Sequence, residues 1–182
     1  MRLLIAPACE ARRICREVRP SHLVRLVSPD RADDMTGVAA DEILTLFVHD
    51  IVEPAPGRIA PGPAMIRTLL DFGRTWNGER PLVVQCWAGV SRSTAAAFIV
   101  ACEKRPDVRE IDLAAALRRA APQATPNSLM VAHADALLAR AGRMSAAVAQ
   151  IGRGAEFSDF ASATVILAKP KVVSGRGGVC SS

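Results

Sequence analysis

The feature that most constrains this chain is the run PLVVQC at residues 81–86, followed after only WAGVS by RSTAAAFIVACEK. The first segment lacks the apolar/polar alternation of a strand with one wet face, so it reads as a strand buried on both faces. The second is apolar nearly all round, as expected of a helix packed in the middle of a domain. A doubly buried strand that turns at once into a buried helix predicts the centre of an α/β fold.

The rest of the chain fits that frame. Arg2 to Ala6 and His22 to Val27 read as short strands, with ARRICREVR between them as a short helix. EILTLFVHD at 42–50 is a further strand, which feeds IVEPAPGRIAPGP, a stretch too dense in Pro and Gly to be regular. From Pro63 onward Met65, Ile66, Leu69, Leu70 and Phe72 recur at helical spacing until Asn77-Gly78 supplies a stop. IDLAAALRRA and NSLMVAHADALLARA are two more helices, separated by PQATPN. Strands alternating with helices predict a mostly parallel central sheet flanked by helices. A chain of 182 residues, 50% hydrophobic, can bury one sizeable core, so a single domain is expected over 1–147. Residues 148–182 mix Gly and Ser with one short β-prone run, TVIL, and read as a flexible tail in which Cys180 is incidental.

Composition removes several classes of function. The net charge of +5 would suit an anionic partner, but the arginines are scattered and only 4% of residues are aromatic, so no nucleic-acid platform is expected. Cys9, Cys15, Cys86, Cys102 and Cys180 are odd in number and irregular in spacing, and no CxxC pair or nearby His suits zinc. His22, His49 and His133 stand apart from one another and read as structural or surface residues. The apolar run near the N-terminus is too short for a secretory segment or a membrane span, and a cytoplasmic location with no membrane partner is the expectation.

The turn WAGVS carries the chemistry. With a strand ending at Cys86 and a helix starting near Arg92, the backbone of Trp87, Ala88, Gly89, Val90 and Ser91 wraps around a point with its N–H groups free to face inward. Gly89 supplies the positive φ or close approach such a loop needs, and the helix N-terminus adds its positive dipole end. Arg92 can close this cradle with a bidentate fork on a tetrahedral oxyanion, and the same field favours the thiolate form of Cys86. The pattern therefore predicts a thiol nucleophile and an arginine that holds the phosphoryl group under attack.

These residues resemble the cysteine-dependent protein tyrosine phosphatases. The stretch from Cys86 to Ser93 fits their signature C-x-x-G-x-x-R followed by Ser or Thr, and its surroundings look most like the dual-specificity branch. LRRAAPQATPN resembles that branch's helix and loop ending in Pro-Asn, here Pro126-Asn127, which supports the phosphate loop. The resemblance covers roughly residues 20–140 and implies the dual-specificity-phosphatase fold, a phosphocysteine intermediate and no cofactor or metal. It further implies a general acid Asp on a mobile loop some thirty-odd residues before the cysteine. By chemistry alone that loop offers Asp50 and Glu53, and Asp50 is favoured. Ser93 falls at the position of the hydroxyl that helps the sulfur leave in the second step.

One position departs from the family. Gln85 stands where His usually precedes the cysteine, and a neutral amide can donate a hydrogen bond but carries no charge. The expected activity is hydrolysis of phosphate monoesters on a phosphorylated protein or a small ester. The alternatives are a weak pseudophosphatase that binds phosphate as an interaction module, and a sulfurtransferase using the same cysteine. Low-molecular-weight phosphatases and arsenate reductases place the motif near the N-terminus with a late Asp-Pro, which this chain lacks. Arg118 and Arg119 read as solvated, Cys9, Cys15 and Cys102 as ordinary thiols, and Trp87 as either a support beneath the site or part of its rim.

Overall fold

The computed structural model describes residues 1–31, 37–156 and, for the backbone, 163–166. Four parallel strands form its centre: β1 (Arg2–Pro7), β2 (His22–Val27), β3 (Glu42–Phe47) and β4 (Leu82–Cys86), with β5 (Ala163–Ile166) on the outside, in the order β3-β2-β4-β1-β5. Helices α1 (Ala8–Val18), α2 (Pro63–Thr75), α3 (Arg92–Lys104), α4 (Glu110–Ala120), α5 (Ser128–Leu137) and α6 (Arg143–Ile151) complete the α/β architecture expected from the alternation of patterns.

The two faces of the sheet explain why β4 shows no alternation. Leu3, Ile5, Val24, Leu26, Leu82, Val84 and Cys86 face the large core built with α2 through α6. Leu4, Ala6, Leu23 and Val83 point the other way, against Ala11, Ile14 and Cys15 of α1. Both sides of β4 are therefore dry, and each fully buried aliphatic side chain contributes about 1.5–3 kcal/mol. Helix α3 is buried without interruption from Arg92 to Cys102, as its all-round apolar composition requires. It approaches α2 closely enough that a Cβ on Gly73 would sit 3.3 Å from Val100 Cγ2.

Two boundaries differ from the sequence reading. Strand β3 stops at Phe47, so His49 and Asp50 belong to the loop and not to the strand expected through residue 50. The register with β2 ends at Val27↔Phe47, the Val48 N–H still donates to Val27 O at 2.9 Å, and beyond that bond the chain turns away. The expected boundary after 147 falls inside α6, where Val148 packs into the large core. Thr164 to Ile166 of the TVIL run lie in β5, antiparallel to β1 from Ile5↔Ala163 to Arg2↔Ile166, which covers an edge that would otherwise present unpaired backbone groups. Residues 167–182, with Cys180, lie outside the described residues. Among the described residues no helix is long and apolar enough to cross a membrane.

Candidate active site

Because the strands of a parallel sheet all end at one side, the loops after β1, β2, β3 and β4 converge there, and the candidate residues meet in that crevice. Strand β4 delivers Cys86, 1% exposed, to the start of the loop. Gly89 turns the loop at φ +73°, and a Cβ there would lie 3.2 Å from the backbone nitrogen of Pro7, so glycine is needed for both conformation and space.

Neighbouring segments hold the loop by its carbonyls. Trp87 O accepts from Ala8 N–H at 3.1 Å, Val90 O from Thr125 N–H at 2.9 Å, and Ser91 O from Ala95 N–H at 2.9 Å. The Thr94 hydroxyl donates to Val90 O and Ser91 O at 2.5 and 2.8 Å. None of these contacts consumes the N–H groups of Ala88 to Ser91, which an anion cradle needs.

Cys86 Sγ lies 3.0 Å from Ser93 Oγ, and Ser93 is fully buried. Arg92, 4% exposed, donates through Nη1 to Ser28 Oγ at 2.8 Å and Val48 O at 2.7 Å. These bonds fix the guanidinium plane from behind. Its Nε is buried with no hydrogen-bond partner among the described residues, and lies 3.8 Å from Asp50 Oδ2. An unfilled buried donor of this kind suits an oxyanion ligand.

Asp50 enters from the loop after β3. Its Oδ1 accepts from Ser91 Oγ at 2.7 Å and from Asn127 Nδ2 at 2.9 Å. Asn127, 3% exposed, also donates to Ile51 O at 3.1 Å while its Oδ1 caps α5 by accepting from Met130 N–H at 3.1 Å. One amide thus ties the helix start, the loop that carries Asp50 and, through Asp50 and Ser91, the 86–92 loop together. Glu53 lies exposed on the same loop and does not line the cleft. The cleft, of about 340 Å³, is bordered by Ser28, Arg31, Asp50 and the 86–92 loop.

Gln85 is 2% exposed and lies in register between Ala6 of β1 and Arg25 of β2. By strand alternation it faces the α1 side, and with Ser28 and Arg92 it borders a small void beneath the loop. Trp87 is on the rim, 48% exposed, with the Arg31 guanidinium over its ring.

Around the site some side chains hold the structural places expected of them, and others have roles that linear reading missed. His49 closes the 49–59 loop, accepting Ile59 N–H on Nδ1 at 2.8 Å and donating its own N–H to Ile59 O at 2.8 Å. His22 bonds Ser21 Oγ and Thr75 Oγ1 at 3.0 and 2.9 Å, a structural position as expected. Arg118 is a brace, not a solvated side chain: it donates to Ala124 O at 2.7 Å and to Ile151 O and Gly152 O at 2.8 Å each, collecting the carbonyls that end α6. Ser28 is the least visible, since only its place at the C-terminal end of a parallel strand marks it. Burial pushes the Cys15 thiol up to about 11, and burial with Glu110 nearby pushes Cys102 up too, so both are neutral core thiols. Among the described residues no group of three His, Cys, Asp or Glu is placed to hold a metal ion.

No family model matches this chain, and no curated protein matches it by sequence. Solved structures do match. DUSP15 is 15% identical, with a TM-score of 0.59 over 81% of this chain and 90% of that one. Human DUSP28 is 19% identical, with a TM-score of 0.55 over 76% and 94%. The human tyrosine phosphatase-like serine/threonine/tyrosine-interacting protein is 17% identical, with a TM-score of 0.57 over 76% and 92%. At these identities the likeness establishes the scaffold: this chain has the dual-specificity-phosphatase fold, that of the branch its Cys86 to Ser93 stretch resembles.

Proposed function

We propose that this chain is a cysteine-dependent phosphatase that hydrolyses phosphate monoesters, such as protein phosphotyrosine or dual-specificity substrates, through a phosphocysteine intermediate. The observation that carries the reading is the convergence, on one cleft, of Cys86 Sγ, the open Arg92 Nε and the Asp50 carboxyl. A phosphate seated in the loop would receive the Ala88 to Ser91 N–H groups and Arg92, with Cys86 beneath its phosphorus. The thiolate attacks, the S–P bond forms and the ester P–O bond breaks. Asp50, in its protonated form, gives the departing oxygen its proton. Water then attacks the phosphocysteine, Asp50 takes its proton, and the S–P bond breaks to release inorganic phosphate. The Ser93 hydroxyl, 3.0 Å from Sγ, donates to the sulfur as negative charge returns to it.

A second reading, phosphate binding without turnover, draws on the neutral Gln85 buried beside the nucleophile and on the similarity to a tyrosine phosphatase-like interacting protein. One experiment separates the two. Wild type should hydrolyse an aryl phosphate in the presence of a chelator, and Cys86→Ser should lose turnover while still binding orthovanadate. Full activity in Cys86→Ser would overturn the nucleophile assignment. Vanadate binding by an inactive wild type would favour the second reading.

A further inference from the structure

Two side chains at the mouth of the cleft have no part in the reaction above. Trp87 is 48% exposed, and Arg31 Cζ lies 5.0 Å from the centre of its ring, a distance at which an aromatic face holds a cation. Both border the cleft that contains Cys86 and Asp50.

The turn that carries Arg31 is fixed to the site. Arg31 N–H donates to Ser28 O at 2.9 Å, and the Ser28 hydroxyl accepts from Arg92 at 2.8 Å. The turn leaving β2 therefore both supports Arg92 and presents Arg31 over the rim. Among the described residues the nearby carboxylates are engaged elsewhere. Asp30 pairs with Arg58 at 3.0 Å and lies 3.5 Å from His49, while Asp50 is held by Ser91 and Asn127. Among the described residues no carboxylate pairs with Arg31. A guanidinium held over an indole face by cation–π attraction keeps N–H groups available for hydrogen bonds.

We infer that Arg31, held over the Trp87 ring, is a specificity-determining residue that reads a second anionic group set beside the scissile phosphate, so that the preferred substrates are monoesters carrying a neighbouring phosphate or carboxylate. The inference rests on the phosphatase reading and names its substrate class. A phosphate in the cradle has its charge met by Arg92 and the loop amides, and Arg31 is a further cation of the rim, placed to meet a second charge. A neutral substrate would leave that charge unused.

The test compares three aryl phosphates of similar leaving group: 4-(carboxymethyl)phenyl phosphate, its neutral amide, and the 4-(phosphonomethyl) analogue. Binding is measured on Cys86→Ser protein, and kcat/KM on wild type. Both anionic probes should bind about tenfold more tightly than the amide, the size of one charge-assisted contact in a partly exposed site. The stronger of the two identifies the second group as phosphate or carboxylate. The preference should weaken as salt is raised, collapse in Arg31→Gln, and survive in part in Arg31→Lys, which keeps the charge without the planar fork of donors. Equal affinity for all three probes, or a preference untouched by Arg31→Gln, overturns the inference. The salt dependence of wild type decides it independently should that variant fail to fold. Absent turnover in wild type, with the binding preference intact, overturns the phosphatase reading alone.

Discussion

Replacing Asn127 tests the proposed link between fold and chemistry, because one buried amide serves both. Asn127→Ala removes three hydrogen bonds: the cap on Met130 N–H and the two that Nδ2 donates to Asp50 Oδ1 and Ile51 O. Loss of an N-cap costs about 1 kcal/mol, and Met130, itself fully buried, gives its N–H no water in exchange. The two remaining bonds contribute about 0.5–1.5 kcal/mol each. The variant should therefore unfold about 2–4 kcal/mol more easily, a fall in Tm of about 5–15 °C for a domain of this size. Asn127→Ser restores a capping oxygen but cannot reach Asp50, so it should recover about 1 kcal/mol of that loss and no more. Kinetics should divide differently. In both variants Asp50 keeps only the Ser91 hydroxyl at 2.7 Å, and its carboxyl is no longer held over the cleft from both sides. Turnover of phenyl phosphate, whose leaving oxygen needs a proton, should fall about 10- to 100-fold in both, short of the full general-acid contribution of about 10²- to 10⁴-fold. A nitrophenyl ester, whose phenoxide departs unaided, should change little. Urea or thermal unfolding combined with steady-state rates on the two esters provides the assay. Wild-type phenyl phosphate turnover in Asn127→Ser would refute the idea that this amide positions the acid. Equal stability of the Ala and Ser variants would refute the cap.

Three further outcomes follow from the same geometry. Asp50→Asn should slow phenyl phosphate by about 10²- to 10⁴-fold with a much smaller loss on the nitrophenyl ester, while Glu53→Gln, altering an exposed side chain outside the cleft, should leave both rates near wild type; the reverse pattern would move the acid to Glu53. Brief alkylation at neutral pH, read by mass spectrometry, should label Cys86 before Cys15 and Cys102, whose thiols burial pushes up, and bound phosphate should protect Cys86; equal labelling of Cys86 and Cys102 would contradict the site. At Glu110, burial pushes the carboxyl up, but its own backbone N–H and the guanidinium groups of Arg143 and Arg140 more than offset this and hold it below the ordinary range. A group depressed in the folded state stabilises above its unfolded value, about 4.3, and that contribution is lost as pH falls through the folded value. Glu110→Gln should accordingly unfold more easily than wild type at pH 7, with a gap that narrows at acid pH; a gap independent of pH in urea titrations would refute the pairing.

What the sequence determined by itself was local in origin. Doubly buried β4, all-round apolar α3 and the glycine turn between them could be read because strand period, helix period and positive φ are properties of a few consecutive residues. The same locality placed Cys86, Arg92 and Ser93 on one turn, since the spacing that defines the loop also brings thiol and hydroxyl within 3.0 Å. Asp50 and Asn127 entered through resemblance, because nothing in VHDIVEP or PQATPN taken alone says that they touch across 77 positions of chain. The tertiary structure decided which of two loop carboxylates faces the cleft, that Ser28 supports Arg92, that Arg31 lies over the Trp87 ring, and that Arg118 gathers the carbonyls ending α6. It also paired the short run in the expected tail with the free edge of β1. Each of these is a hydrogen bond or contact between segments distant in sequence, and a parallel sheet brings them together only by gathering its strand ends at one edge. The periodicity of a segment records which of its faces is dry; it does not record which other segment makes it so.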